Sequence, residues 1–258
     1  MREIRPIKME EAEAFLSLLC NTFAIDFERA YAVFFNEPLF DVRRKWALFE
    51  NGKILSILST VPLEFGWGRG IGVAGVATAF ERRGEGLASE LLNEVMRVAS
   101  EGNEGATYLF ARELGLYERN GFRLLDTVIR VGIVPNNTMP TGDSLIPDKV
   151  AEIYDRWALG HPDRLQRPVE RWAYWRWTMK LCMPFGSGYM CTEGGVVREC
   201  ISSELLQSWP VPRATDWLGL TTMARQMGVP MSGRPRVELY LMGKDAPSVP
   251  QMFMTDQF

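Results

Sequence analysis

The 258-residue chain predicts an α/β protein built on a mixed (α+β) sheet. Three observations carry that expectation. Over the first half the apolar pattern switches between strand and helix periods in the order β-α-α-β-β-β-α-β-α-β. A strand rich in small residues runs through a glycine-bearing turn straight into an amphipathic helix. The second half then follows a shortened α-α-β-β…α-β-β order.

Each element has its own reason. Glu3 to Ile7 reads as a strand, stopped near Pro6. Glu10 to Phe23 carries Ala14, Phe15, Leu18 and Leu19 at helical spacing, and Asp26 to Phe35 puts Phe27, Ala30, Tyr31 and Phe34 on one helix face. Trp46–Glu50 and Lys53–Leu58 flank Asn51-Gly52, the strongest short-range hairpin signal. Pro62 should end or bend the second arm. Gly70 to Ala79 is a strand whose small residues suit close approach by a ligand. Leu87 to Ala99 is a helix with Leu87, Leu91, Val95 and Val98 at core spacing, and Ala106–Ala111, a short helix and Phe122–Val134 complete the half. Pro135 to Asp143 is a polar, turn-rich linker. Beyond it Pro147 opens a helix to Leu159, and Pro168–Trp177 forms another. Gly188–Cys191 and Val196–Ser202 read as strands joined at Gly194-Gly195. Thr215–Met227 reads as a helix, and Val237–Met242 and Met252–Thr255 as late strands.

The chemistry concentrates in Val76-Ala77-Thr78-Ala79-Phe80-Glu81-Arg82-Arg83-Gly84-Glu85-Gly86-Leu87-Ala88-Ser89. A strand that turns directly into a helix lines up unpaired backbone N–H groups at the helix start, where the dipole favours an anion. Gly84 and Gly86 permit positive φ and close approach of a bulky ligand. Arg82 and Arg83 add charge suited to phosphate. No Lys-Ser or Lys-Thr follows, so a P-loop is excluded, and the dinucleotide fingerprint fails at its third glycine. The expected guest is a pyrophosphate.

Arg83-Gly84-Glu85-Gly86-Leu87-Ala88 resembles the Gln/Arg-x-x-Gly-x-Gly/Ala signature of the GNAT N-acetyltransferase superfamily. About thirty residues on, Leu116-Tyr117-Glu118-Arg119-Asn120-Gly121-Phe122 is similar to that family's LYExxGF segment. The resemblance implies a GNAT fold with acetyl-CoA as cosubstrate and no metal. The pyrophosphate would lie on the amides of Arg83, Gly84, Glu85, Gly86, Leu87, Ala88 and Ser89, and the pantetheine arm on Val76, Ala77 and Thr78. Tyr117 would protonate the departing sulfur, a role open to a phenol that stays neutral at pH 7.

In the second half no such loop recurs, since Gly228–Gly233 lacks the arginine and the helix start. Tyr154-Asp155-Arg156, Arg167-Pro168, Trp172, Arg236–Leu239 and Thr255-Asp256 resemble the middle domain of the Eis-type acetyltransferases, which follow a catalytic GNAT domain with a GNAT-like one. The implied organisation is a catalytic, acetyl-CoA-binding domain at 1–134 and a degenerate GNAT-like domain at 144–258 forming part of the substrate cleft. Eis-type enzymes assemble into symmetric oligomers, so a homo-oligomer is a possible state. In that group the terminal carboxylate is thought to act as base; this chain also ends in Phe258, but after a different domain.

Bulk properties agree with a soluble enzyme. A hydrophobic content of 47% and a charged content of 24% are ordinary globular values. The net charge of −3 argues against a general nucleic-acid binder. No apolar run of membrane-spanning length is present, and Met1-Arg2-Glu3-Ile4-Arg5 lacks a signal-peptide core. Cys20, Cys182, Cys191 and Cys200 show no CxxC spacing, so neither zinc nor a redox pair is expected, and four scattered thiols fit a reducing cytoplasm.

The expected function is N-acetyl transfer to a primary amine of a small molecule or peptide, by direct attack. The alternative class is a non-catalytic acyl-CoA-binding sensor or scaffold. Glu64, Glu81 and Glu113 are acidic groups near the motifs, each read as structural or surface, and the lone His161 sits in a turn. Trp172, Tyr174, Trp175 and Trp177 exceed what one helix face can bury, so part of that group is free to line a cleft.

Overall fold

The computed structural model describes residues 1–136, 142–178, 181–204 and 209–258. The first half runs β1 (Arg2–Pro6), α1 (Ala12–Phe23), α2 (Phe27–Phe34), β2 (Lys45–Glu50), β3 (Lys53–Phe65), β4 (Gly68–Thr78), α3 (Leu87–Glu101), β5 (Ala106–Ala111), α4 (Gly115–Arg119) and β6 (Arg123–Ile133). The second runs α5 (Pro147–Leu159), β7 (Leu165–Gln166), α6 (Val169–Thr178), β8 (Cys182–Phe185), β9 (Gly188–Glu193), β10 (Val196–Ile201), β11 (Asp216–Leu220), α7 (Thr221–Gln226) and β12 (Met231–Lys244). The expected mixed α/β architecture is present, and the element order of the first half is the expected one.

Both halves contribute to one sheet, ordered β1-β2-β3-β4-β5-β12-β6-β11-β10-β9-β8, with β7 added to β3. Among the strands of the described residues, β4–β5 and β10–β11 pair in parallel and the others antiparallel. The last strand, β12, lies between β5 and β6: Tyr240–Lys244 pair with Ala111–Thr107, while Met231–Gly243 run along Ile133–Arg123. The second half is therefore stitched into the sheet of the first.

Local chemistry explains the layers. Asp26 caps α2 by accepting the Arg29 N–H at 2.9 Å. Asn51 and Gly52 both take positive φ, 50° and 79°, as a two-residue hairpin with a primed turn requires. On one face of the sheet, Leu87, Leu91, Leu92, Val95 and Met96 of α3 pack on Leu48, Leu58, Ile71, Val73 and Leu109. On the other, Phe15 and Leu16 of α1 and Phe34 of α2 cover Ala47, Phe49, Ile57 and Ala77. A third cluster joins Tyr108 and Val128 of the first half to Tyr154, Trp172, Tyr189 and Trp217 of the second.

Several expectations need correction. Pro62 neither ends nor visibly breaks its strand; β3 runs on to Phe65, because its pairing with β2 stops at Ser59 and leaves no ladder bond on that side for proline to forfeit. The segment 215–227 is not one helix. Asp216–Leu220 is a strand held between β6 and β10, and only Thr221–Gln226 is helical, so tertiary pairing overrides the helical spacing. Met252–Thr255 is not a strand: Met254–Asp256 form a single 3₁₀ turn after an isolated bridge at Gln251. Strands β7 and β8, too short to show a period, were not anticipated. Residues 137–141 of the expected linker lie outside the described residues.

The thiols are a further correction. Cys182 and Cys191 face each other in register across the β8–β9 hairpin and form a disulfide, leaving Cys20 and Cys200 as buried thiols. The expectation of four unpaired thiols fails because β8, four residues long, is too short to show a strand period, and the hairpin that brings the two cysteines together depends on it.

Candidate active site

The site begins where two parallel strands part. β4 and β5 are paired from Gly70↔Ala106 to Val73↔Leu109, and no further. Past that rung β5 keeps its other partner, β12, through Phe110 and Ala111, while β4 keeps only β3. The Ala79 N–H donates to Leu55 O at 2.8 Å. By the two-residue alternation of a strand, Ala77 shares that side, and Val76 and Thr78 turn their backbone groups into the opening. Ala77 is committed to the sheet: its carbonyl accepts from the Ser56 hydroxyl at 3.0 Å and its side chain is buried. Thr78 has its hydroxyl on Ser56 at 2.9 Å, and its carbonyl accepts from Arg83 Nε at 3.2 Å.

The loop leads from this opening into α3. Gly84 and Gly86 have φ of +86° and +80°, and a Cβ at either would meet nothing within 4 Å. Neighbours do not force these glycines; the backbone conformation does. Gly86 is the N-cap of α3 and no side chain caps it. Among the described residues, the amides of Gly84 to Ser89 are bonded by neither side chains nor loop carbonyls, so the first-turn donors of a fifteen-residue helix point outward. That arrangement fits an anionic diphosphate.

The two arginines divide their work. Arg82 is spent inside the protein: it donates twice to Glu85, at 2.7 and 2.8 Å, and once to Glu50 at 2.8 Å. Arg2 joins the same carboxylate at 2.9 Å. Arg83 anchors by Nε alone, so its terminal N–H groups have no protein acceptor among the described residues. Hydrogen bonds from Arg82 and then Arg2 pull the Glu50 carboxyl down to about 2. With the folded value depressed, the clamp is complete above the ordinary glutamate range and fades as pH falls toward 2. A carboxyl NMR titration should therefore give Glu50 a midpoint near 2; a midpoint near the ordinary 4.3 would show the clamp is not formed.

The remaining predicted residues present different atoms to the loop. Leu87 is buried in the α3 core, so only its amide faces the loop. Ala88 is half-buried, and the Ser89 hydroxyl accepts from Asn120 Nδ2 at 3.0 Å. Asn93 in turn donates to Asn120 at 3.1 Å, so α4 is tied to the start of α3. That tie positions Tyr117. Its ring packs edge-on to Phe122, centroids 5.9 Å apart, on the same apolar cluster that Val76 borders. Burial pushes its phenol above the ordinary range, and its hydroxyl has no protein partner among the described residues.

Gly86→Glu is expected to weaken CoA binding at least tenfold by calorimetry. A non-glycine residue at φ +80° costs about 1–2 kcal/mol, and the new carboxylate repels an anion from the helix start. Equal affinities would count against the loop as a cradle.

Other expectations fall away from this centre. Glu81 and Glu113 are exposed. Glu64 lines a cavity of about 470 Å³ with Pro62, Arg69 and Arg171, at the far end of β3 and β4 from Thr78. His161 closes its own turn, Nδ1 accepting from Asp163 N at 3.2 Å. Of the aromatic group, Trp172 and Trp175 are buried, while Trp177 is 39% exposed and lines a cavity of about 750 Å³ with Arg29 and Val33 of α2.

A buried ionic cluster was not anticipated as a unit. Arg167, fully enclosed, donates to Glu199 at 2.7 and 3.1 Å and to Asp256 at 2.7 and 2.9 Å. Its guanidinium lies 3.6 Å from the Tyr154 ring centre. Tyr189, Thr255 and Trp175 also donate to Glu199. The signal was present: in Val197-Arg198-Glu199-Cys200-Ile201 the carboxylate holds an inward position between Val197 and Ile201.

Residues 3–125 match the acetyltransferase (GNAT) domain. No curated protein matches the chain. Among solved structures, a GCN5-related N-acetyltransferase from Kribbella flavida is similar over 94% of this chain and 71% of its own, at 14% identity and TM-score 0.76. Eis1 from Mycobacterium abscessus is similar over 93% and 73%, at 15% identity and TM-score 0.61. A putative acetyltransferase from Pyrococcus horikoshii covers 99% and 92%, at 12% identity and TM-score 0.67. At these identities the structural likeness speaks for the fold, and it extends across both halves. With the domain match and the fold in agreement, residues 3–125 form a GNAT acetyltransferase domain.

Proposed function

We propose that the protein transfers an acetyl group from acetyl-CoA to a primary amine of a small molecule or peptide, by direct attack of the amine. The observation that carries this reading is the opening between β4 and β5, which leads without interruption to an uncapped α3 N-terminus. Acetyl-CoA supplies the activated acyl group. The amides of Gly84 to Ser89 and the free end of Arg83 would hold its diphosphate, and the backbone groups of Val76 and Thr78 its pantetheine arm. Donors in that strand are also placed to stabilise negative charge on a carbonyl oxygen. Holding acceptor and donor together in one cleft supplies much of the rate.

Tyr117 is the acid in this reading, its hydroxyl unspent and its phenol kept neutral by burial. Glu81 and Glu113 are exposed and Glu64 lines a cavity at the far end of β3 and β4, so in this reading the proton of the amine leaves through water. The region 144–258 contributes one wall of the acceptor cleft through α6, whose Trp177 faces α2. A cytoplasmic setting rests on composition alone, and the Cys182–Cys191 bridge speaks against a strongly reducing one. Among the described residues no helix is long and apolar enough to cross a membrane, and no group of three or more potential ligands gathers for a metal.

The deciding experiment follows thiol release from acetyl-CoA with a panel of aminoglycosides, polyamines and lysine peptides. Amine-dependent release supports transfer. Tight CoA binding with no release for any amine supports the sensor reading instead.

A further inference from the structure

Phe258 sits where the separating strands meet. The rung just before the last paired one joins Gly72 of β4 to Tyr108 of β5. A Cβ on Gly72 would fall 2.5 Å from two carbons of the Phe258 ring, so any side chain there would have to shift the ring. On the other strand the ring meets Phe110, centroids 5.4 Å apart. One aromatic ring thus touches both strands at the narrow end of the opening. A group that enters from the Thr78 end and reaches toward that apex meets Phe258.

The ring is fixed from behind. Asp256, two residues earlier, is 1% exposed and takes two hydrogen bonds from Arg167. Thr255 donates to Glu199, the second carboxylate on the same guanidinium. Moving the ring therefore means dragging the 254–256 turn off a buried charge network, or bending the chain within Gln257-Phe258.

We propose that Phe258 is the stop that restricts the site to short acyl chains, and that the buried Arg167–Glu199–Asp256 cluster holds the stop in place. The proposal rests on the acetyl-CoA reading above. A longer chain has to displace the ring to reach the apex; a shorter one does not. Asp256 and Arg167 are positioning residues here, with no contact to substrate required of them.

The test is calorimetry on the full chain with CoA, acetyl-CoA and hexanoyl-CoA. The wild type should bind acetyl-CoA at least tenfold more tightly than hexanoyl-CoA. Phe258→Ala should shrink that preference at least tenfold, and Asp256→Asn should shift it the same way by a smaller factor. Both variants should bind CoA itself within twofold of the wild type, a result that general loss of structure would not give. The stop is overturned by a wild type with no preference, by an unchanged preference in Phe258→Ala, or by a parallel loss of CoA affinity. Should Phe258→Ala shift the preference while a folded Asp256→Asn does not, the cluster's part in holding the stop is overturned. If Asp256→Asn does not fold, Phe258→Ala decides alone. A wild type that binds no CoA removes the acetyl-CoA reading instead, so the two failures are distinct.

Discussion

Tyr117→Phe is expected to lower kcat by about 10² to 10⁴, at least about 3 kcal/mol of transition-state stabilisation, with CoA affinity unchanged. The substitution removes one hydroxyl that makes no protein hydrogen bond among the described residues, so no partner there is stranded and the ring keeps its edge contact with Phe122. The fold should survive intact. Because burial raises the phenol above its ordinary value, the acid form persists through neutral pH. It is lost only as pH climbs past the usual tyrosine range near 10. The alkaline limb of the kcat profile that belongs to Tyr117 should therefore lie above about pH 10 and vanish in the phenylalanine variant. Turnover that survives the substitution would take Tyr117 out of the mechanism; loss of CoA binding would make it a structural residue.

What could be read from the letters follows from how local each signal is. The loop from Thr78 to Ser89 and the hairpin at Asn51-Gly52 are written in consecutive residues, and there the backbone conformation is dictated by glycine and asparagine themselves. The helices α3 and α5 carry their core stripes at unbroken spacing, and their bounds were close to those expected. The non-local features escaped. Nothing in Met231–Lys244 says that it will pair with β5 and β6, which lie far earlier in the chain. Asp216–Leu220 has helix-compatible spacing, and only its two neighbouring strands make it extended. The disulfide needed a hairpin whose first arm is four residues long. The strand opening of the candidate site is of the same kind. The sequence shows a strand of small residues; that its pairing with β5 ends at Val73 belongs to the whole sheet.

The largest expected stability effect lies far from that loop. Arg167, Arg171, Glu199 and Asp256 are all buried and their charges cancel. Burial alone would pull the Arg167 value down, but the carboxylates of Asp256 and Glu199 outweigh it and keep the guanidinium charged. Arg167→Met leaves two carboxylates facing Arg171 alone, which already bridges Asp256 at 3.8 Å and donates to Pro62 O. An uncompensated buried charge costs about 3–5 kcal/mol, a large share of the 5–15 kcal/mol typical of a folded chain. The mechanism has a signature that simple loss of packing lacks. Adding Glu199→Gln to Arg167→Met restores charge balance, with Arg171 opposite Asp256, and the amide can still accept from Tyr189 and Trp175. The double variant should therefore unfold at a higher urea concentration than Arg167→Met, although it carries one more substitution. If the two losses simply add, charge imbalance is not what the cluster guards against, and the arginine matters for its contacts with Tyr154 and Trp172.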